Sequence, residues 1–399
     1  MEKIRVGIVG LGPRACGLMF QNMINIDKIK ITAICDLYED RIKSTSDELF
    51  EKAGYRPEFF STDYRDIINS DIVDVVMILA AWEDHIPIAI MSMKKGKPVG
   101  VEVAGAYSIE HCWDLVKTYE ETKTPIMMLE NCCYGRSEMM AMNMKENGVF
   151  GTIVHCNGAY HHDLREEITG GIENRHYRFR NYKNRNCENY PTHELGPIAQ
   201  LLDINKGNRM ISLVSVSSKS VGLHDYIMKK KSDDKKLTDI NFCQGDVVTT
   251  IIRCARGETI TMTLDTSLPG YYSRAFRVQG TDARYDDDTR SLFIDGKSDH
   301  GLHLDETWNS LENHRDEYDH PVWKDYLVEG VREGHQGMDW LMLNDFFDRI
   351  ADGRPMPIDV YDMASWMAIT SLTEDSIMLG GAPVAIPDFT NGKWCREYK

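Results

Sequence analysis

Ile4-Arg5-Val6-Gly7-Ile8-Val9-Gly10-Leu11-Gly12-Pro13-Arg14-Ala15 carries the chain from an apolar run through two glycines into the start of a helix. An unbroken apolar run of this length is what a strand buried on both faces of a parallel sheet needs. Gly10 to Ala15 then fits G-x-G-x-x-A. The first glycine permits a tight turn, the second lets backbone approach a pyrophosphate, and the helix N-terminus meets the phosphate charge. The next apolar run, Ile29–Cys35, ends at Asp36. A carboxylate there would hold ribose hydroxyls and repel a 2′-phosphate, which favours NAD over NADP. Arg14 keeps NADP open, or serves the pyrophosphate.

The rhythm continues outward from this unit. Helix is expected over Ser44–Ala53, a short extended piece at Phe59–Phe60, a helix start at Tyr64–Asn69 and a strand at Asp74–Leu79. Helix Ile86–Lys95, strand Pro98–Glu102, helix Ser108–Thr122 with Ser108 as N-cap, and strand Pro125–Leu129 follow. Such β–α alternation predicts an α/β, doubly wound parallel sheet over residues 1–132. Beyond it the spacing predicts helix Glu138–Asn147 and strands at Thr152–Tyr160, Ser212–Ser218, Val247–Arg253, Thr259–Asp265, Ala275–Gln279 and Ser291–Ile294. Helices Gly196–Leu202, Asp339–Arg349 and Val360–Leu379 frame them. Residues 133–399 therefore read as an α+β domain with a large, mostly antiparallel sheet, its C-terminal helix free to pack back on the first domain. Residues 163–190 and 222–244 read as polar loops, the first too rich in Arg, His and Tyr to be a mere connector.

The chain has 399 residues, enough for two cores, with 42% apolar and 27% charged residues. Its net charge of −16 argues against nucleic-acid and anionic-membrane surfaces, which need clustered Lys and Arg. No run approaches a membrane span, and the opening lacks a signal-peptide pattern, so a cytoplasmic place is expected. The ten cysteines are scattered and fit reduced thiols. An exposed face on the second sheet leads us to expect a homodimer or homotetramer.

Three stretches carry candidate chemistry. Trp82-Glu83-Asp84-His85 follows the strand ending at Leu79, where residues face a cofactor crevice; Trp82 covers the nicotinamide ribose or simply packs at a domain seam. Tyr190-Pro191-Thr192-His193 sets a phenol and an imidazole near each other on a proline-stiffened segment, equipment for proton transfer. His161-His162-Asp163 invites a metal, but adjacent strand residues point to opposite faces, so no metal is expected. His335 and Asp339 read as residues capping a helix.

Up to residue 104 the chain resembles the Gfo/Idh/MocA oxidoreductases. They carry Glu-Lys-Pro at the end of the fifth strand, where the lysine assists proton transfer. Here Glu102 is followed by Val103, which cannot move a proton. The series Met127-Met128-Leu129-Glu130-Asn131-Cys132-Cys133-Tyr134-Gly135, Gly158-Ala159-Tyr160-His161-His162-Asp163-Leu164-Arg165, His176-Tyr177-Arg178 and Tyr190–Pro197 then resembles glycoside hydrolase family 109, the NAD-dependent N-acetylgalactosaminidases. Ser273-Arg274 after Tyr272 continues the likeness.

The resemblance implies hydrolysis through transient redox chemistry, on terminal N-acetylgalactosaminides, α-linked ones first. Tightly bound NAD takes hydride from C3 of the sugar, the ketone acidifies the C2 proton, and the bond at C1 breaks by elimination. Water then adds, hydride returns, and NAD is recycled. A C–H beside an alcohol is too weak an acid for a protein base, and oxidation brings it within reach. By the same resemblance Gly10, Gly12, Pro13, Arg14, Asp36, Trp82, Glu83, Asp84, His85, Glu102, Val103 and Asn131 line NAD. Tyr160, Arg178, Tyr190, Pro191, Thr192, His193 and Tyr272 line a small carbohydrate or glycan. His193 would take the C3 hydroxyl proton. Tyr190 or Tyr160 would act at C2, with a pKa lowered by a cation such as Arg178. Glu130 would orient these groups or assist the leaving oxygen. Glu194 departs from the family's glycine, and is expected to raise the pKa of His193, to touch a sugar hydroxyl, or to face solvent. A plain sugar or inositol dehydrogenase is the alternative, and Val103 argues against it. A non-catalytic nucleotide or sugar binder is the second, and the many polar site residues argue against that.

Overall fold

The computed structural model describes residues 2–332 and 334–395. They form two compact units, Met1–Tyr134 with Tyr326–Ala364, and Gly135–Asp325 with Ser365–Lys399. Among the described residues no helix is long and apolar enough to cross a membrane.

The first unit is built on strands β1 (Ile4–Val9), β2 (Ile29–Cys35), β3 (Phe59–Ser61), β4 (Val75–Ile78), β5 (Val99–Val101) and β6 (Ile126–Met128). Their order, β3-β2-β1-β4-β5-β6, is doubly wound, and every pair is parallel. Val6, Ile8, Val76 and Met77 are fully buried, as strands covered on both faces require. Ser108 caps helix Ile109–Thr122 by accepting the His111 amide at 3.2 Å. The helix expected from Ser44 starts earlier, at Glu39, because Glu39 and Asp40 suit a first turn.

A division at 132/133 leaves Tyr326–Ala364 with the second domain, whereas its contacts place it in the first unit. The reason is helix Met338–Asp352, which buries Met338, Met342, Leu343, Phe346 and Phe347 on one face. Phe346 reaches Gly100 of β5 closely enough that a Cβ there would lie 3.2 Å from its ring.

The second unit holds β7 (Ile153–His161), β8 (Met210–Ser217), β9 (Val247–Cys254), β10 (Thr259–Asp265), β11 (Arg277–Gly280), β12 (Ala283–Asp286), β13 (Ser291–Ile294) and β14 (Val384–Ala385). The order is β13-β12-β11-β7-β10-β9-β8-β14. Pairing is antiparallel except between β7 and β10, which run parallel. β9 and β10 alternate buried and more accessible residues, the pattern of a sheet with one covered face. Strand β12 escaped the sequence reading because Ala283–Asp286 is too short and polar to stand out from a turn.

The two stretches expected as loops contain helices. Arg165–Thr169 and Tyr177–Asn184 lie in the first, Gly222–Lys230 and Lys235–Thr238 in the second. Each buries a few side chains (Ile168, Phe179 and Tyr182; Leu223, Ile227 and Leu237) amid otherwise polar sequence, too little for a visible helical period. Helix Thr192–Leu201 lies against β7 through Gly158, where a Cβ would come within 2.8 Å of the Glu194 carbonyl oxygen.

The turn after β1 is the tightest point in the first unit. Gly10 has φ +93°, and a Cβ there would lie 2.5 Å from both the Ala80 nitrogen and the Leu79 oxygen. Gly10→Ala should therefore destabilise the protein by more than about 2 kcal/mol. A thermal melt checks this; a variant within a degree of the wild type would contradict it.

Candidate functional site

In the first unit the functional residues gather at the carboxyl ends of the strands. β1 ends at Val9, and Gly10–Gly12 turn into helix Pro13–Gln21. Gly12 is the N-cap and brings no side-chain cap, and Pro13 has no N–H. No atom lies within 4 Å of where a Gly12 Cβ would stand, so the helix start is open to the approach of a ligand. This cradle fits a pyrophosphate. Asp36 joins it to the end of β2, accepting the Leu11 amide at 2.8 Å and the Tyr38 amide at 3.0 Å.

Arg14 does not stand free as a phosphate or 2′-phosphate ligand. Its two terminal nitrogens donate to Asp339 at 2.7 and 2.9 Å, and its Nε donates to Glu102 at 3.1 Å. Asn131 donates to the same Asp339 carboxylate at 2.9 Å, and His335 Nδ1 lies 2.7 Å from it. Asp339 is therefore not a helix cap: it is a buried hub that ties residues following β1, β5 and β6 together. Burial alone would raise its carboxyl pKa. Hydrogen bonds from His335 and Arg14 outweigh that and hold it well below the usual carboxylate range.

The neighbouring candidates occupy the same strand ends. Trp82 is buried in the turn Trp82–Asp84 after β4, and Glu83 accepts from the Tyr107 hydroxyl at 3.4 Å. His85 is fully buried, with Nε2 3.0 Å from the Ala80 carbonyl; burial lowers its pKa to about 4, so the ring is neutral. Val103 is buried, its amide donating to Glu102 at 3.2 Å. Glu130, also buried, accepts the Cys132 amide at 3.0 Å.

In the second unit an aromatic cluster forms where β7 ends and helix Thr192–Leu201 begins. The Tyr160 and Tyr190 rings are 4.7 Å apart, and His193 stands edge-on to both, at 5.5 and 4.8 Å. Tyr272 closes the group edge-on to Tyr160 at 6.2 Å. Arg178 lies over the Tyr190 ring, 4.7 Å from its centroid, and pairs with Glu167 at 2.6 Å. Pro191 and Thr192 are buried and shape the entry to the helix. Pro197, inside it, withholds the N–H that would bond the His193 carbonyl.

One expectation is corrected. Tyr160 does not have a lowered pKa: burial raises it, and the opposing effect of Arg178 is smaller. Its hydroxyl is instead hydrogen-bonded with His162 Nδ1 at 2.9 Å. His162, weighed in the sequence only beside His161 and Asp163, is a member of the cluster, its pKa lowered by burial and Arg178. Tyr160 near the end of β7 and His162 just past it are two residues apart, the spacing that puts extended residues on one side, which is the signal that would have placed it there. Arg274, which follows Tyr272 in the motif series, pairs with buried Glu138 at 2.6 Å and donates to the Tyr272 hydroxyl at 3.3 Å. Glu194 does not reach solvent; it is buried beneath β7.

Comparison with known proteins adds the following. A family described as glycosyl hydrolase 109, C-terminal domain, matches residues 134–396. An α-N-acetylgalactosaminidase of Tannerella forsythia is 37% identical, across 98% of this chain and 87% of that protein. A glycosyl hydrolase family 109 protein of Parabacteroides distasonis is 38% identical, across 98% and 88%. Among solved structures, levoglucosan dehydrogenase in complex with NADH and levoglucosan superposes with TM-score 0.72 at 16% identity, over 97% of this chain and all of that one. A myo-inositol 2-dehydrogenase of Lactobacillus plantarum gives 0.66 at 14%, with the same coverage. At these identities the structural likeness is one of fold.

The Asp339 hub makes a pH-dependent prediction. A carboxyl whose pKa falls on folding contributes stability above its unfolded value, about 3.9, and loses it as pH drops toward the depressed one. Asp339→Asn should cost about 2–4 kcal/mol at pH 7. In urea titrations below pH 5 the wild type should lose stability more steeply than the variant; parallel curves would contradict the hub.

Proposed function

The chain belongs to glycosyl hydrolase family 109, and from this we propose that it cleaves terminal N-acetylgalactosaminides, α-linked ones first, with tightly bound NAD that is used and restored within each turnover. The observation that carries the reading is the ring cluster of Tyr160, Tyr190 and His193 under Arg178, in a chain whose fifth strand ends in Glu102-Val103. A dehydrogenase lysine is absent there, and the second unit carries phenol and imidazole groups able to move protons.

Residues of the first unit fit the dinucleotide. The Gly10–Gly12 turn and the uncapped helix start at Pro13 suit the pyrophosphate, and Asp36 suits the ribose hydroxyls. With Arg14 engaged by Asp339 and Glu102, NAD is favoured over NADP. NAD, when bound, supplies reversible oxidation at C3 of the sugar.

The remaining steps fall to the chain's own side chains. His193 takes the proton of the C3 hydroxyl as C3 is oxidised. With a ketone at C3, the C2 proton becomes acidic enough for a phenolate to remove, which leaves that residue as the phenol. Tyr190 is assigned that step, because Arg178 over its ring stabilises negative charge there. Tyr160 keeps its proton and holds the Tyr190 and His193 rings in register, fixed in turn by His162. Loss of the C2 proton pushes electrons to C1, the bond to the leaving oxygen breaks, and Glu130 is assigned to protonate that oxygen. Water then adds at C1, a proton returns to C2, and reduction at C3 restores the hydroxyl with the proton held by His193.

Incubation with an N-acetylgalactosaminide in D₂O tests the reading. The expected product is free sugar carrying deuterium at C2, with no net NADH. Sugar released without C2 deuterium would refute the route, and stoichiometric NADH would identify a dehydrogenase instead.

A further inference from the structure

Two carboxyl groups are buried directly behind the Tyr190–His193 segment. Glu188 is 0% exposed and Glu194 is 1% exposed. As carboxylates, Oε2 of Glu188 and both oxygens of Glu194 meet no donor. Their side chains instead hydrogen-bond each other, and no cation acts on either. Two carboxylates have no hydrogen to share, so this contact exists only if the pair carries a proton. A second buried charge without a cation would be costly as well.

The pair is tied to Tyr190, to helix Val360–Met378 and to β7. Glu188 Oε1 accepts the Tyr190 amide at 3.2 Å. The Glu188 amide donates to the Thr373 hydroxyl at 2.9 Å, and its carbonyl accepts from Thr370 at 2.7 Å, both on helix Val360–Met378. Glu194 follows His193 directly and presses its Cβ and carbonyl on Gly158 of β7, two residues before Tyr160. The titratable groups facing the pair are Cys187 and Tyr182, which burial keeps neutral.

We propose that Glu188 and Glu194, joined by a shared proton, are the positioning pair that holds Tyr190 and His193 in their reactive arrangement. The inference rests on the assignment of those two residues under the proposed function. Burial raises both carboxyls, Glu188 to about 8 and Glu194 well above the usual carboxylate range. A group whose pKa rises on folding contributes stability that is complete below its unfolded value and is lost as pH rises through the folded one. The brace therefore weakens above about pH 8.

The test uses Glu194→Leu, which keeps bulk without the hydrogen bond, and Glu194→Gln, which keeps a donor toward Glu188. Hydrolysis is followed from pH 5 to 9.5, and melting temperature over the same range. Glu194→Leu should lose about tenfold or more in kcat with KM little changed, since misplacing reacting groups acts on the chemical step. Glu194→Gln should recover most of that loss and move the alkaline fall in kcat to higher pH. The wild type should lose melting temperature between pH 6 and 9 more steeply than either variant. Wild-type kcat and pH profile in Glu194→Leu would overturn the positioning role. Equal melting slopes in all three proteins would overturn the shared proton. A wild type that hydrolyses nothing refutes the proposed function, and the melting slopes still decide whether the proton is shared.

Discussion

The close crossing at Gly10 governs the first unit. The chain leaves β1 with φ +93° and no room for a Cβ beside Leu79 and Ala80 at the end of β4. Because the turn hugs β4, helix Pro13–Gln21 starts at the carboxyl end of β1, with no side-chain cap at Gly12. Asp36 locks the turn through the Leu11 amide, and Arg14, one helical residue on, reaches Asp339 and Glu102. A nucleotide cradle thus follows from one steric constraint and the hydrogen bonds it makes possible.

The second unit relies on burial in the same way that the first relies on close approach. Tyr160, Tyr190 and Arg178 are nearly inaccessible, so their polar ends interact through little water. Desolvation then decides protonation: it keeps Tyr160 neutral in spite of Arg178 and keeps a proton between Glu188 and Glu194. What distinguishes the two tyrosines is their partners. Tyr160 is bonded with a histidine, while Tyr190 sits beneath a guanidinium.

Much of this was legible in the sequence, for identifiable reasons. The parallel sheet announces itself through unbroken apolar runs such as Val75–Ile78, and the Gly10–Ala15 turn through its glycine spacing. The Tyr160, Tyr190, His193 and Arg178 cluster was reached through motif order, not through geometry, since its members come from β7 and from two separate helix starts. Three things stayed hidden. Asp339 looked like a cap because its long-range partners, Arg14 and Asn131, are far away in sequence. The helices in 163–190 and 222–244 bury too few side chains to show a period. Glu194 looked able to face sugar or solvent, because nothing local reveals that Gly158 leaves space for it under β7. With Glu194 turned inward, its carboxylate is no reason to expect a different sugar from that of the family.

The central claim is that hydrolysis depends on a dinucleotide that is never consumed. The direct measurement is glycosidase activity of protein stripped of nucleotide by reversible unfolding, refolded, and titrated with NAD or NADP. Activity should be absent after stripping and return fully at one equivalent of NAD, which is recovered unchanged after many turnovers, with NADP far less effective. Full activity in verified nucleotide-free protein would contradict the account.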